Sequence, residues 1–128
     1  MKSKVHISVG LFLLAVWLNP PPAIGSDAVV WGSTLYGKTN IPPAATNLIA
    51  LVAGGNHTLA LREDGAVVAW GLNNWGQTNS PTTASNIVQI SAGAAHNLAL
   101  RADGALLAWG DNAYGMTNIP AAATNQPL

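Results

Sequence analysis

The sequence is dominated by a repeat with a period of 39 residues. Trp31, Trp70 and Trp109 are each followed by Gly, and an aromatic residue stands five positions after each tryptophan. Residues 28–66 and 67–105, aligned without a gap, are identical at 19 of 39 positions. Each unit follows the pattern W-G-x-x-x-[YW]-G-x-T-N-x-P. A fixed period of this length is typical of repeat architectures, in which each unit packs only on its neighbours.

Each repeat contains three segments with the pattern of short β-strands. In the second repeat Val88, Ile90 and Ala92 alternate with polar residues, which predicts a strand with one face toward the core and one toward solvent. A second segment follows a Gly-containing bend. Asp64-Gly65 and Asp103-Gly104 then predict tight two-residue hairpins, which need positive φ at both central residues, leading into the third segment.

The unit is therefore a three-stranded meander followed by a Gly-, Asn- and Pro-rich connection of about 17 residues, which has room for a short fourth strand. A repeated antiparallel meander is the signature of a β-propeller blade. A β-solenoid is the alternative, but its repeats usually lack the Asp-Gly hairpin. We predict an all-β fold of β-propeller blades, two full and others partial, in repeats at about 28–66, 67–105 and 106–125.

Residues 1–25 differ from the repeats and have the layout of a secretory signal peptide. Two lysines precede residues 5–18, a stretch without Asp, Glu, Lys or Arg. This stretch is shorter than the roughly 20 residues that a membrane-spanning helix needs. Small residues stand at the −3 and −1 positions of a cleavage site before Ser26. We expect a secreted or periplasmic protein without a stable membrane anchor, whose propeller part is 26–128.

Composition argues against several classes of partner and cofactor. The chain has no cysteine, and 8% of its residues are charged. From residue 26 onward three basic and five acidic residues give a formal charge of −2, which argues against nucleic acids and anionic membranes as partners. The histidines lack a local metal-ligand spacing, and the Gly-Gly pair lacks the Lys-Ser/Thr of a phosphate loop. We expect no metal and no cofactor.

The segment 54–65 combines a histidine, an arginine and two carboxylates, which suggests a reaction site. Most of this cluster recurs 39 residues later, whereas catalytic groups converge from different positions on one substrate. We therefore predict no catalytic residues and no enzyme activity. The histidines are expected to bond backbone groups at the Gly bend or to pack against the next blade. The residues with predicted structural roles are Trp31, Trp70, Trp109, His57, His96, Asp64, Asp103, Gly65 and Gly104.

Candidate binding residues lie in the connections and at positions that differ between repeats. Aromatic residues in loops on a rigid scaffold suit protein binding, although here they could also pack over the connection below them. The shared fold does not constrain the residues at positions that vary between repeats, so these residues can determine specificity for a partner. The candidate partner-binding residues are Tyr36, Trp75, Tyr114, Asn56, Leu35 and Asn74.

The segment AAHNLALRADGALLAWGDNAYG resembles the regulator of chromosome condensation repeat, whose pattern is G-x-x-H-t-l-A-L-x-x-D-G-x-v-x-x-W-G-x-N-x-x-G-Q. The short period and the T-N-x-P tail resemble the bacterial secreted members, and propeller-type β-lactamase inhibitory proteins carry similar repeats. The resemblance covers residues 26–125 and implies blades of a seven-bladed ring. Because seven blades need on the order of 270 residues at this period, we expect a fragment of a ring or self-association that completes one.

We expect a secreted, non-enzymatic protein that binds an unidentified protein partner through its loop face. A truncated open reading frame without independent function is the alternative. The resemblance also implies the eukaryotic family role, guanine-nucleotide exchange on a small GTPase with chromatin binding, but the signal peptide and the acidic charge argue against it. A propeller enzyme would need a non-repeating cluster of catalytic residues, and the sequence shows none.

Overall fold

The computed structural model describes residues 4–9 and 27–124. Its elements are β1 (Lys4–Val9), β2 (Asp27–Gly32), a 3-10 turn (Leu35–Gly37), β3 (Leu48–Ala53), β4 (His57–Arg62), β5 (Val67–Gly71), β6 (Ile87–Ala92), β7 (His96–Arg101), β8 (Leu106–Gly110) and α1 (Ala121–Thr124). The strands β3-β4-β5 and β6-β7-β8 form two antiparallel sheets, blade 1 and blade 2, which confirms the predicted all-β class and its three-stranded units. The described connections contain a 3-10 turn and a helical turn but not the short fourth strand.

The strand β1 lies within the predicted signal peptide and pairs in parallel with β2, from Lys4 opposite Asp27 to Val9 opposite Gly32. In the 39-residue period, β2 is equivalent to the third strand of a blade. The cleavage site predicted before Ser26 lies outside the described residues. The signal peptide and this processing step therefore stay predictions.

A bulge in the first strand of each blade changes which side chains face the core. In blade 2 the pairing skips one residue between Ile87 and Gln89, and blade 1 has the same irregularity. Ile87 and Ile90 are buried as a result, while Val88 is exposed to solvent. The predicted inward position of Val88 is wrong because the extra residue of a bulge shifts the alternation of side chains.

The hairpin between β4 and β5 is wider than the predicted two-residue turn. The Gly65 amide donates to the Arg62 carbonyl at 3.0 Å, and the Arg62 amide donates to the Ala66 carbonyl at 2.9 Å. Gly65 has a φ of 79°, but Asp64 is not among the residues with positive φ. This is a three-residue loop that ends in a left-handed glycine. The Asp64 carboxylate instead accepts the Ala66 amide at 3.1 Å.

The larger hydrophobic core lies between the two blades. Leu59 and Leu61 of β4 pack against the face of blade 2 that carries Trp109. Because Ala60 packs on the opposite side of the same strand, β4 is buried on both faces. The equivalent of Leu59 in β7, Leu98, is 37% exposed. Stacking of one blade on the next therefore buries the middle strand, as expected for a repeat architecture.

A smaller core lies on the other side of blade 1. Trp70, Leu48 and Leu51 form its buried part together with small side chains. Ala28 and Val30 of β2 pack against this cluster. Blade 2 contacts blade 1 through one of its two faces. The strand β2 covers part of the equivalent face of blade 1.

Gly65 connects the hairpin of blade 1 directly to the start of blade 2. Its carbonyl accepts the Ile87 amide at 3.0 Å. A Cβ atom at Gly65 would lie 2.9 Å from the Asn86 Cα, closer than a side chain can approach. Gly76 also has positive φ, 73°, but a Cβ there would meet only the Asn79 side chain at 3.8 Å.

We expect Gly65→Ala to lower the free energy of unfolding by about 3 kcal/mol, because it adds a steric contact between blades to the strain of positive φ. Gly76→Ala is the matched control and should cost about 1 kcal/mol, from the backbone strain alone. Urea unfolding of both variants measures the difference. Equal losses would contradict the close contact between Gly65 and blade 2.

Candidate functional site

His57, at the start of β4, is hydrogen-bonded across the blade interface. Its Nε2 lies 2.7 Å from Asn97 Oδ1. The Asn97 amide group donates to the Gln77 carbonyl at 2.7 Å, and the Trp109 indole donates to the same carbonyl at 3.1 Å. Because Asn97 uses its NH₂ for that carbonyl, its oxygen faces His57, and Nε2 carries the imidazole proton. This buried chain of hydrogen bonds links β4, β7, β8 and the connection between the blades.

The surroundings of His57 favour its neutral form. The ring lies so close to Gly54 that a Cβ there would overlap it, and Nδ1 is buried without a hydrogen-bond partner. Burial lowers the pKa of His57 below its ordinary value, and His96 lowers it further, while the hydrogen bond to Asn97 acts in the opposite direction. A buried, neutral imidazole in a hydrogen-bonded interface suits a structural role better than proton exchange with a substrate.

The second copy of the sequence cluster is separate from the first. Arg101 pairs with Asp103 at 2.8 Å, just as Arg62 pairs with Asp64 at 2.8 Å. Each ion pair closes its own hairpin. His96 has a buried Nδ1 without a partner. The structure therefore does not bring the charged groups of the two repeats together into one site.

Two of the three repeated tryptophans anchor a connection to a blade. Trp70 and Trp109 are buried, and the Trp70 indole donates to the Lys38 carbonyl at 2.7 Å. Trp31, which has no described connection before it, is 47% exposed. The indole N–H groups thus tie the backbone of the connections to the core.

The connections present aromatic side chains to solvent. Tyr36, Trp75 and Tyr114 are 55%, 58% and 91% exposed. Leu35 is also exposed beside Tyr36, and so is Asn74 beside Trp75. The three aromatic residues occupy equivalent positions in successive connections, so those of adjacent blades lie on the same side of the stack.

Side-chain amides hold these connections in shape. In the second connection Asn73 Oδ1 accepts the Thr78 amide at 2.9 Å, and Asn73 Nδ2 donates to Asn79 Oδ1 at 3.0 Å. The third connection repeats both bonds with its own residues. In addition, the Trp75 amide donates to Gln77 Oε1 at 2.8 Å. The sequence prediction selected Asn74 as a binding residue and did not foresee that Asn73 holds the connection, although the recurring Thr-Asn pair was a signal for this structure.

Lys38 is a second residue that the sequence prediction missed. It is only 6% exposed, and its Nζ donates to Asn56 Oδ1 at 3.3 Å. The predicted partner-binding residue Asn56 is half-buried at the Gly bend before β4. The structure therefore joins a connection residue and a bend residue that are 18 positions apart.

Within residues 4–9 and 27–124, no three His, Asp, Glu or Cys residues are grouped so that they could hold a metal ion. The helices described there are too short or too polar to cross a membrane.

Residues 48–77 and 87–115 match the family model of the Regulator of chromosome condensation (RCC1) repeat. The fold is similar to that of Prp20p from Saccharomyces cerevisiae, with a TM-score of 0.55 and 23% identity over 76% of this chain and 29% of that one. It is also similar to yeast RCC1 (Prp20) in its complex with Kap60, with a TM-score of 0.55 and 25% identity over 76% of this chain. No curated protein sequence matches the chain. The chain spans less than a third of the length of Prp20p in each of these two structures.

We expect stability to fall as the pH is lowered through the range in which unfolded histidine titrates, near 6.5. The folded pKa of His57 is lowered, so the unfolded chain binds the proton more readily and stability is lost on acidification. Urea midpoints between about pH 7.5 and about pH 5.5 measure this effect. His57→Gln should reduce the pH dependence, whereas His96→Gln leaves the burial of His57 in place and should retain most of it. Equal pH dependence in the wild type and His57→Gln would contradict the assignment.

Proposed function

We propose that this chain is part of a non-enzymatic β-propeller that binds a protein partner through the side formed by its connections. The observation that carries the proposal is the exposure of Tyr36, Trp75 and Tyr114 at equivalent positions of successive connections. Tyrosine and tryptophan are enriched among the residues that dominate protein–protein binding energy. Exposed apolar surface that is contiguous marks an interaction site in soluble proteins.

The rigidity of the connections supports this proposal. The second connection is held by hydrogen bonds from Asn73 to Thr78 and Asn79, and the Trp75 amide is bonded to Gln77. A loop that is already ordered loses less conformational entropy when it binds. The aromatic side chains would therefore bind a partner without first having to organise the backbone that carries them.

Similar structures are consistent with a protein as the partner. Prp20p has binding properties to Gsp1p and histones, and Kap60 is bound to yeast RCC1 (Prp20) in a crystal structure. This chain covers less than a third of those proteins, so their particular partners are not assigned to it. The acidic charge of residues 26–128 leads us to favour proteins over nucleic acids. The repeated Arg–Asp pairs at separate hairpins favour binding over catalysis.

The exposed side of blade 2 fits another blade of the same repeat. Leu98 is 37% exposed, although its equivalent Leu59 is fully buried by the neighbouring blade. The same surface chemistry recurs by the 39-residue period, so we propose that a further blade covers Leu98 and extends the ring. Association of copies of this chain would be one way to supply that blade.

We also propose secretion, on the strength of the charge and hydropathy pattern of residues 1–25. Expressed in a bacterium with a secretion pathway, the chain should be exported and begin at Ser26, as measured by intact mass. Leu13→Arg interrupts the apolar stretch and should leave the precursor uncleaved in the cell. Leu35→Arg, in an exposed connection, is the control that should be exported normally. Cytoplasmic full-length product from the wild type would contradict the proposal.

We expect Trp75→Ala to lower affinity for the partner about tenfold or more, with little change in the urea midpoint, because its side chain contacts solvent in the free protein. Proteins retained from growth medium by the immobilised wild type are compared with those retained by this variant and by Tyr36→Ala/Trp75→Ala/Tyr114→Ala. Val88→Ala removes an exposed apolar side chain outside the connections and should bind like the wild type. Undiminished retention by the triple variant would refute the proposed binding surface.

A further inference from the structure

Lys38 distinguishes the first repeat from the other two. The equivalent positions hold Gln77 and Met116, which are uncharged. Position 56 differs along with position 38, because the first repeat has Asn56 and the second has Ala95. Lys38 Nζ lies 3.3 Å from Asn56 Oδ1, so the two differences belong to one contact. An acceptor side chain stands at the bend in the repeat that carries the ammonium group, and not in the next one.

The carbonyls of Lys38 and Gln77 each accept a tryptophan indole N–H, but the two side chains make different contacts. The Lys38 carbonyl accepts the Trp70 indole at 2.7 Å. Gln77 turns its Oε1 back to its own connection and accepts the Trp75 amide at 2.8 Å. Lysine has no acceptor atom and cannot make that bond. Its ammonium group reaches the bend before β4 instead.

The Lys38 ammonium has fewer partners than a buried cation requires. It has three N–H donors, and among the described residues its acceptor is Asn56 Oδ1, at a long 3.3 Å. Arg62 and Arg101 each pair with an aspartate at 2.8 Å. No carboxylate of the described part of the chain pairs with Lys38, although the residue is only 6% exposed. Burying a cation without a counter-ion is unfavourable, so a buried charge is normally paired.

We propose that Lys38 and Asn56 form a binding site for one carboxylate group, supplied by an Asp or Glu side chain of the protein partner. Lys38 supplies the positive charge and its remaining N–H donors. The Asn56 oxygen is directed to Lys38, so its NH₂ group is left as a second donor for a carboxylate oxygen. Tyr36, two positions earlier in the same connection, would contact an apolar group beside that acidic residue. The identity of the partner as a protein rests on the proposed function, but the carboxylate chemistry does not.

Acetate, a small carboxylate without other functional groups, is the first probe of the site. Acetate is added to the purified chain while the Nζ resonance of Lys38 is followed by ¹H–¹⁵N NMR, with acetamide as a neutral compound of the same shape. We expect a saturable shift of the Lys38 signal with acetate and none with acetamide. An absence of saturation with acetate, or an equal response to acetamide, would overturn the proposal.

Matched variants then assign the response to the site. Lys38→Met introduces the residue found at position 116 and should weaken acetate binding at least about tenfold, the loss expected for a charge-assisted hydrogen bond. It should also raise the urea midpoint, because an unpaired buried charge is removed. Because Lys38 supplies the NMR signal, acetate binding to the variants is followed through backbone amides near residue 56. Gln77→Met alters the equivalent position of the second repeat and should retain acetate binding. Unchanged acetate binding in Lys38→Met would overturn the assignment, and Lys38→Gln serves if the methionine variant does not fold.

A final comparison distinguishes a partner side chain from a free small carboxylate. The probes are the peptide Ac-Ala-Phe-Glu-Ala-NH₂ and its Glu→Gln form. Tighter binding of the glutamate peptide than of acetate, reduced by Tyr36→Ala, supports a side chain of a protein. Binding of acetate without any gain from the peptide would overturn that source. The aromatic variants could retain every partner while acetate still binds. That result would refute the proposed aromatic surface and leave the carboxylate site intact.

Discussion

The packing of blade 2 on the outer face of β4 is the interaction on which the structure depends. A three-stranded sheet has two apolar faces and cannot bury both by itself. Leu59 and Leu61 are buried only because the next blade covers them. Two hydrogen bonds, between His57 and Asn97 and between the backbones of Gly65 and Ile87, add directional contacts to this apolar interface. Hydrophobic burial thus provides most of the attraction, and the hydrogen bonds determine how one blade is placed on the next.

The same interface also determines the shape of the connections. The carbonyl of Gln77 accepts hydrogen bonds from Asn97 and Trp109, both of which belong to blade 2. The side chain of Gln77 holds the amide of Trp75, which is exposed in the connection. Core packing, blade order and the position of an exposed aromatic residue are therefore connected through one glutamine. A rigid core can in this way present a binding residue on a loop.

Individual function in such a chain depends on the differences between repeats. Residues that recur stabilise the shared fold: Arg62 pairs within its own hairpin, and His57 bonds to the next blade. Lys38 and Asn56 are not repeated, and they contact each other. A substitution in one repeat leaves the geometry of its equivalents intact, so a polar pair can be placed at one point of the molecule. At this point of the described connections a nearly buried ammonium has an amide oxygen, and no carboxylate of the described residues, as its partner.

The amino-acid sequence by itself determined the period, the number of strands in each unit and the all-β class, because these follow from local patterns that recur every 39 residues. It also identified the connection aromatics as candidates. It did not determine the bulge at Val88 or the width of the hairpin at Asp64, because both depend on pairing with a neighbouring strand. The contact of Lys38 with Asn56 likewise required the tertiary structure. These residues are far apart in sequence, and only the folded bend brings the amide oxygen to the buried ammonium group.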